Sequence, residues 1–324
     1  MKIQFSKPTI GQEEIDAVAR IISSGWLAAG AETEAFEKEF AEYVGVKYAI
    51  FTNSCTSALK MAYKYVLEDM EGVSRVLVPK NTFCATYSAA EEIGLSTVYL
   101  EDFKNRQAFL KYVHRFPDIE RVNVHYGSVQ DTTPCLIEDS AHRIEPNDPL
   151  VGLIRCYSFY ATKNMTTGSG GMFVTNDKKI YEKARLYWKD GIDKSTKDRA
   201  KGDLDYTVRV MSGGYDGNDI AAAIGRVQLR KLPEFNRKRN AIVRKYNQAF
   251  GTKWTGNHLY PYFLSSEAEL RKFIKHMQSN GVSVGWHYPG TGWLGVSLPL
   301  YPDLTEEEVK YIIDRTNAYK NTTG

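Results

Sequence analysis

The 324-residue chain is poor in the features that would send its chemistry elsewhere. Its four cysteines, Cys55, Cys84, Cys135 and Cys156, are widely spaced and form no CxxC pair. That spacing argues against a disulfide framework or a zinc site and for reduced residues, all but Cys55 in clearly apolar surroundings. No metal is expected. No apolar run approaches the ~20 residues of a membrane span, and the opening Met1-Lys2-Ile3-Gln4-Phe5-Ser6-Lys7-Pro8 has no apolar leader region. A cytoplasmic protein with no membrane partner is expected. A net charge of +3 is too mild to argue for nucleic acid. No GxGxxG follows the first strand, and Gly168-Ser169-Gly170-Gly171 opens no helix, so a nicotinamide dehydrogenase has little support. What remains is an ordinary globular composition, 43% hydrophobic and 25% charged, long enough for one large domain and a smaller one.

The most informative stretch is Ser158–Met172, SFYATKNMTTGSGGM. An apolar run from Leu153 to Tyr160 leads into small polar residues headed by Lys163, and Gly168, Gly170 and Gly171 carry the chain into Met172-Phe173-Val174. The pattern predicts a strand, a tight loop and a second strand, with an amine at the bend. Desolvation there lowers a lysine's pKa and frees its lone pair, which makes Lys163 a candidate Schiff-base former. A solvated loop lysine has the same local sequence.

Upstream, Pro134-Cys135-Leu136-Ile137 reads as a buried strand and Glu138-Asp139-Ser140-Ala141-His142 as its polar end. Open α/β sheets place ligand-binding groups at the carboxyl ends of parallel strands. Pyridoxal phosphate requires a lysine for its aldehyde and a carboxylate for its ring nitrogen, and both are present in order. IEDSAHR followed by SFYATKNMTTGSGGM resembles the paired signature of the DegT/DnrJ/EryC1/StrS aminotransferases, fold-type-I pyridoxal phosphate enzymes that aminate keto-sugars, usually nucleotide-linked. The resemblance implies that Lys163 bonds the cofactor aldehyde, Asp139 pairs the ring nitrogen, His142 lies near the phenolic oxygen and Ser158 donates to the phosphate. A few members carry histidine at the lysine position and act as dehydratases; lysine here favours transamination.

The same resemblance extends over most of the chain. Thr52-Asn53-Ser54-Cys55-Thr56-Ser57, ahead of a predicted helix, is either an ordinary N-cap or a phosphate cradle; the family's S-x-T-[SA]-A-L turn maps the cofactor phosphate to Thr56 and Ser57. Its TF.AT motif places Phe83 over the pyridoxal ring. Trp26, in the glycine-containing link Gly25–Gly30, is either a buried anchor or a border of the sugar site, and His287 is either structural or near the substrate. The pattern predicts helices from Gly11 to Ile22, Glu32 to Tyr43, Tyr181 to Lys189, Asp219 to Leu232 and Phe235 to Phe250, the last a basic helix with a solvated charged face. The charged insert 190–205 reads as a loop, its Lys194, Lys197, Arg199 and Lys201 solvated or close to a neighbouring subunit's substrate.

The expected architecture is α/β: a mostly parallel central sheet in a large cofactor domain, residues 1–234, and a smaller α+β domain, residues 235–324. The resemblance implies a homodimer with shared sites, an amino-acid donor, by precedent L-glutamate, and a keto-sugar acceptor. Three departures stand out. Gly214 and Asp216 occupy the places of a family asparagine, which reaches across a dimer interface to the cofactor phosphate, and of the arginine two residues after it, with Asn218 a substitute if the loop shifts; Ser169 replaces a usual acid; and the segments after Gly127 and His142 are short. A parallel link normally needs about a dozen residues, so the strand ending near Gly127 and the Cys135 strand are either not neighbours or joined by an extended crossing. These departures keep open a family member that binds cofactor or ligand for regulation or scaffolding without turnover.

Overall fold

A computed structural model of the chain describes residues 1–99, 119–126, 135–194, 199–202 and 205–323. Among these, seven strands form one sheet: β1 (Tyr48–Thr52), β2 (Arg75–Val78), β3 (Ser96–Tyr99), β4 (Ile119–Tyr126), β5 (Ile137–His142), β6 (Ile154–Ser158) and β7 (Gly171–Thr175), in the order β1-β7-β6-β5-β4-β2-β3. The pairs from β3 through β6 are parallel, while β7 runs antiparallel to both β6 and β1. The carboxyl ends of β1, β5 and β6 therefore share one edge with the amino end of β7. A sheet covered on both faces favours strands that are apolar throughout, and β6 and β7 are buried at every position.

β4 and β5 are parallel neighbours, so of the two readings left open by the short link the adjacent one holds; residues 127–134 lie outside the described set. β5 differs from expectation. The strand starts at Ile137, three residues later than expected, so that its expected polar end, Glu138 to His142, makes up most of it, and four of those five residues are buried. Buried carboxylates require partners. Glu138 stands opposite Arg155 in the register, and the fully buried guanidinium donates to Glu138 at 2.7 Å, to Asp148 at 3.0 Å and to the Pro149 carbonyl at 2.8 Å. Arg143 adds two bonds to Asp148. The shortened stretch after His142 is thus tied to the sheet by a buried ionic network.

Helices α1 (Gln12–Ser24) and α2 (Ala31–Val44) start the chain, α3 (Cys55–Asp69) follows β1, α4 (Ala85–Ile93) follows β2, and α5 (Lys178–Trp188) follows β7. The amino end of α2 is closed from a distance. Asp219 accepts from the Gly30 and Thr33 amides at 2.8 and 2.9 Å and from the Thr33 hydroxyl at 2.7 Å.

Asp219 opens α6 (Asp219–Phe250), a single 32-residue helix through Pro233 where the sequence pattern predicts two. The expected domain boundary at 234/235 falls inside it. Its first half packs on α1 and α2, and Ile242, Val243 and Tyr246 join a second apolar cluster. That cluster is built on the three-stranded sheet β8 (Tyr260–Phe263), β10 (Gly295–Leu298) and β9 (Gly285–Trp286), with α7 (Glu267–Ser279) and α8 (Glu306–Thr323). Ile3 belongs to the second cluster as well, bonded through its backbone to Gly281 and Ser283, so the amino terminus is fastened to the carboxy-terminal core.

Candidate active site

A cavity of about 710 Å³ opens where these strand ends meet the carboxy-terminal unit, within the size range of small-molecule sites. Lys163, Asp139, His142, Ser158, Thr56, Phe83 and His287 all line it. Lys163 heads the loop between β6 and β7. The loop is closed on itself: the Lys163 amide donates to the Tyr160 carbonyl at 2.9 Å, and the Thr167 amide and Thr166 hydroxyl both donate to the Phe159 carbonyl at 3.0 Å. Gly168 takes a positive φ of 83° within it, a conformation that suits glycine. Desolvation lowers the Lys163 pKa to about 8, partly opposed by Cys55 and Asp139. An amine that titrates so near neutrality is present in both protonation states under working conditions.

Asp139, in mid-strand, receives the Thr86 hydroxyl on one oxygen at 2.7 Å and the Ala141 amide on the other at 3.1 Å. Thr86 is buried at the start of α4 and shares a 2.8 Å bond with Thr82, so the carboxylate is fixed from the β2–α4 connection. At the end of β1, Ser54 caps α3 by accepting from the Ser57 amide at 3.1 Å. The Ser57 hydroxyl is turned inward to Asn53 Oδ1 at 2.5 Å. Ser54, Cys55 and Thr56 face the cavity and Ser57 does not, which narrows the expected Thr56–Ser57 pair to Thr56 with its two predecessors. The start of α3 carries the positive end of the helix dipole. β7 packs hard against it: a Cβ on Gly171 would sit 2.5 Å from the Cys55 nitrogen.

Three of the six histidines gather here. His142 stacks edge-on to His258 with centroids 4.8 Å apart and lies 6.5 Å from His287; its Nε2 is 3.3 Å from the Tyr288 hydroxyl. His287 Nδ1 meets the Ser297 hydroxyl at 3.0 Å. Burial, with Lys163 next, pushes His142 and His258 well below the usual range and His287 to about 4. All three are neutral at physiological pH, so no imidazolium shares the cavity with the lysine. Phe83 is exposed toward the opening, 5.9 Å from the Tyr288 ring.

Two expected substrate residues lie elsewhere. Trp26 is exposed and its indole covers Gly30. Asn218 is exposed and caps α6 by accepting from the Ala221 amide at 2.9 Å. Neither lines the cavity. Gly214 and Asp216 have structural partners: the Asn53 amide group donates to the Gly214 carbonyl at 3.1 Å, and Lys189 pairs with Asp216 at 3.2 Å. Their segment is strapped to the end of β1, with the Asn53 amide on the Tyr215 carbonyl at 2.9 Å. Ser169 lines the cavity and donates to the Asn53 carbonyl at 3.2 Å. In the insert, Lys197 lies outside the described residues, and the Arg199 guanidinium lies over the Tyr206 ring, 5.6 Å from its centroid.

Thr86, His258 and Tyr288 are functional-site residues that the sequence reading does not single out. Thr86 was visible as the last residue of the TF.AT resemblance, and Tyr288 as the neighbour of His287. His258 had no signal, because the contact that defines it joins residues 116 positions apart.

The residues fit pyridoxal phosphate: an amine of lowered pKa and a doubly bonded carboxylate share one cavity, and an open helix start suits its phosphate. Comparison with known proteins agrees. The DegT/DnrJ/EryC1/StrS aminotransferase family profile matches residues 8–109 and 130–294. The chain is 32% identical over 270 residues to the spore coat polysaccharide biosynthesis protein SpsC of Bacillus subtilis, covering 76% of this chain and 69% of that protein. It is 28% identical over 368 residues to a dTDP-4-dehydro-2,3,6-trideoxy-D-glucose 4-aminotransferase of Saccharopolyspora spinosa, covering 96% and 95%. Its fold is similar to that of Helicobacter pylori PseC, an aminotransferase of pseudoaminic acid biosynthesis, with TM-score 0.87, 23% identity and coverage of 99% of this chain and 100% of that one. The chain therefore belongs to the DegT/DnrJ/EryC1/StrS aminotransferase family and is a pyridoxal-phosphate-dependent aminotransferase.

Proposed function

We propose that the enzyme moves an amino group from an amino acid, L-glutamate by family resemblance, to a keto-sugar carried on a nucleotide. The observation that carries this reading is the pairing of Lys163, at a pKa of about 8, with a fixed Asp139 in a cavity of about 710 Å³. The cofactor supplies an electron sink and a carrier for nitrogen. The protein supplies the rest. Asp139, an acceptor oriented by Thr86 and the Ala141 amide, would hold a protonated ring nitrogen. Ser54, Thr56 and Ser158 line the same cavity and would hold the cofactor's phosphate beside the start of α3. Lys163 would tether the cofactor through its ε-amine and, when free, would carry a proton to and from the reacting carbons, which a group with a pKa of about 8 can do in both directions. The neutral imidazoles of His142, His258 and His287 line the approach without placing a competing cation beside the amine.

The sugar acceptor is supported by the printed names of the Saccharopolyspora and Helicobacter proteins and by a cavity that leaves room beyond the cofactor. A homodimer fits the same reading. Trp26 and Asn218, outside this chain's cavity, would serve the site of a second copy, and Leu27, Tyr206, Val208 and Met211 leave apolar surface exposed near them in sequence. Four free cysteines and no helix long and apolar enough to cross a membrane, among the described residues, support a cytoplasmic location.

The test is spectroscopic. L-Glutamate should convert the yellow cofactor-loaded protein to its amine-carrying form, and one member of a panel of keto-sugar nucleotides should restore the colour with release of an amino-sugar. A loaded protein inert to every amino donor would contradict the proposal.

A further inference from the structure

Arg239 is the one arginine of the basic half of α6 that the structure takes out of water: it is 5% exposed, whereas Arg237 and Arg244 are exposed and Lys238 is half-buried. No carboxylate lies within salt-bridge distance of its guanidinium among the described residues. The group donates instead to two backbone carbonyls, Asn164 at 2.9 Å and Lys163 at 3.4 Å, and its Nε has no hydrogen-bond partner. Its other contact is a long one to Asn236 Oδ1 at 3.5 Å; burying an arginine on neutral acceptors is unfavourable, and burial, partly opposed by Asp303, lowers its pKa to about 9. The bonds fall on the reactive lysine and its neighbour. Asn164 is also held from its side chain, donating to Asn257 at 3.0 Å and Asn236 at 3.2 Å. Asn236 lies one turn from Arg239 on α6, and Asn257 adjoins His258 in the cavity wall.

We propose that Arg239 is a positioning residue: it clamps the backbone of the Lys163 loop to the helix that joins the two halves of the molecule, and so fixes where the ε-amine stands in the cavity. The guanidinium fork suits this task because two of its nitrogens reach two successive carbonyls at once, which an ammonium cannot do with fixed geometry. Arg239 does not line the cavity. Its effect on the reaction passes through the loop.

This inference rests on Lys163 being the lysine that reacts with pyridoxal phosphate, and the experiment separates the two claims. Cofactor-free wild type, R239K and R239M are mixed with pyridoxal phosphate across a pH series. The rate of imine formation is followed by absorbance, and the product is reduced with borohydride and mapped to its peptide. Thermal unfolding of each apoprotein is recorded in parallel. Wild type should be labelled at Lys163. R239M should react at least tenfold more slowly there, with its pH midpoint displaced upward as the loosened amine regains water, and R239K should fall between the two. A label on some other lysine in the wild type defeats the reading of Lys163. A folded R239M whose rate and midpoint match the wild type overturns the clamp and leaves Arg239 a packing residue; if R239M does not fold, a wild-type rate and midpoint in R239K do the same.

Discussion

Lys163→Ala should lower turnover by at least a thousandfold, since one amine is both tether and proton carrier. Its burial has a second consequence, in stability. The folded pKa of about 8 lies below the ordinary 10.5, so between those values the unfolded chain holds the proton more tightly. Stability therefore rises as pH climbs from about 8 to 10.5, and the whole penalty is present below 8. Lys163→Met should stabilise the cofactor-free protein at pH 7 by ~2 kcal/mol, an advantage that fades toward pH 10. Urea denaturation at both pH values measures it, and equal stabilities at pH 7 would contradict it. Thr86→Val, nearly isosteric, removes a donor from Asp139. It should weaken cofactor binding by ~1–2 kcal/mol, roughly five- to thirtyfold in dissociation constant; equilibrium dialysis decides. At this scale the sequence was most legible where chemistry and chain order coincide. Asp139 lies within β5 and Lys163 in the loop after β6, where local pattern and resemblance both point, and Ser158 ends β6, where the resemblance points. Ser57 and Asn218 carry suitable side chains in suitable motifs, and only coordinates show their polar atoms engaged as structural bonds.

The elements themselves were readable from periodicity, and their joints were not. α6 continues through Pro233 because its two halves pack on different cores, a long-range cause that local propensity does not report. The solvated face assigned to its basic half holds for Arg237 and fails for Arg239, since composition does not say which side of a helix another loop will cover. The remote cap on α2 is equally non-local. Gly30 and Thr33 are 189 and 186 residues from the carboxylate that serves them. Asp219→Ala leaves those amides without an acceptor and should destabilise the protein by ~2–3 kcal/mol, read as a lower urea midpoint with the slope unchanged. An unshifted midpoint would mean that water replaces the carboxylate.

For the whole molecule, fold class was foreseeable: alternating strands and helices with ligand residues at strand ends indicate an open α/β sheet. The attachment of the amino terminus was not. Ile3 is 1% exposed in the carboxy-terminal core, and Phe5 reaches the cavity, 5.6 Å from the His287 ring. Ile3→Ala should lower stability by ~2–4 kcal/mol, and scanning calorimetry should show whether the loss falls on the transition of the carboxy-terminal core. The cavity lies between the two cores and takes residues from both, so the positions of Lys163 and His287 depend on the same packing.

The central claim is covalent and can be tested directly. Purified protein loaded with pyridoxal phosphate, reduced with borohydride and digested, should carry the cofactor on the peptide containing Lys163 and on no other, and Asp139→Asn should weaken its retention. A cofactor reduced onto a different lysine, or none retained at all, would contradict the account.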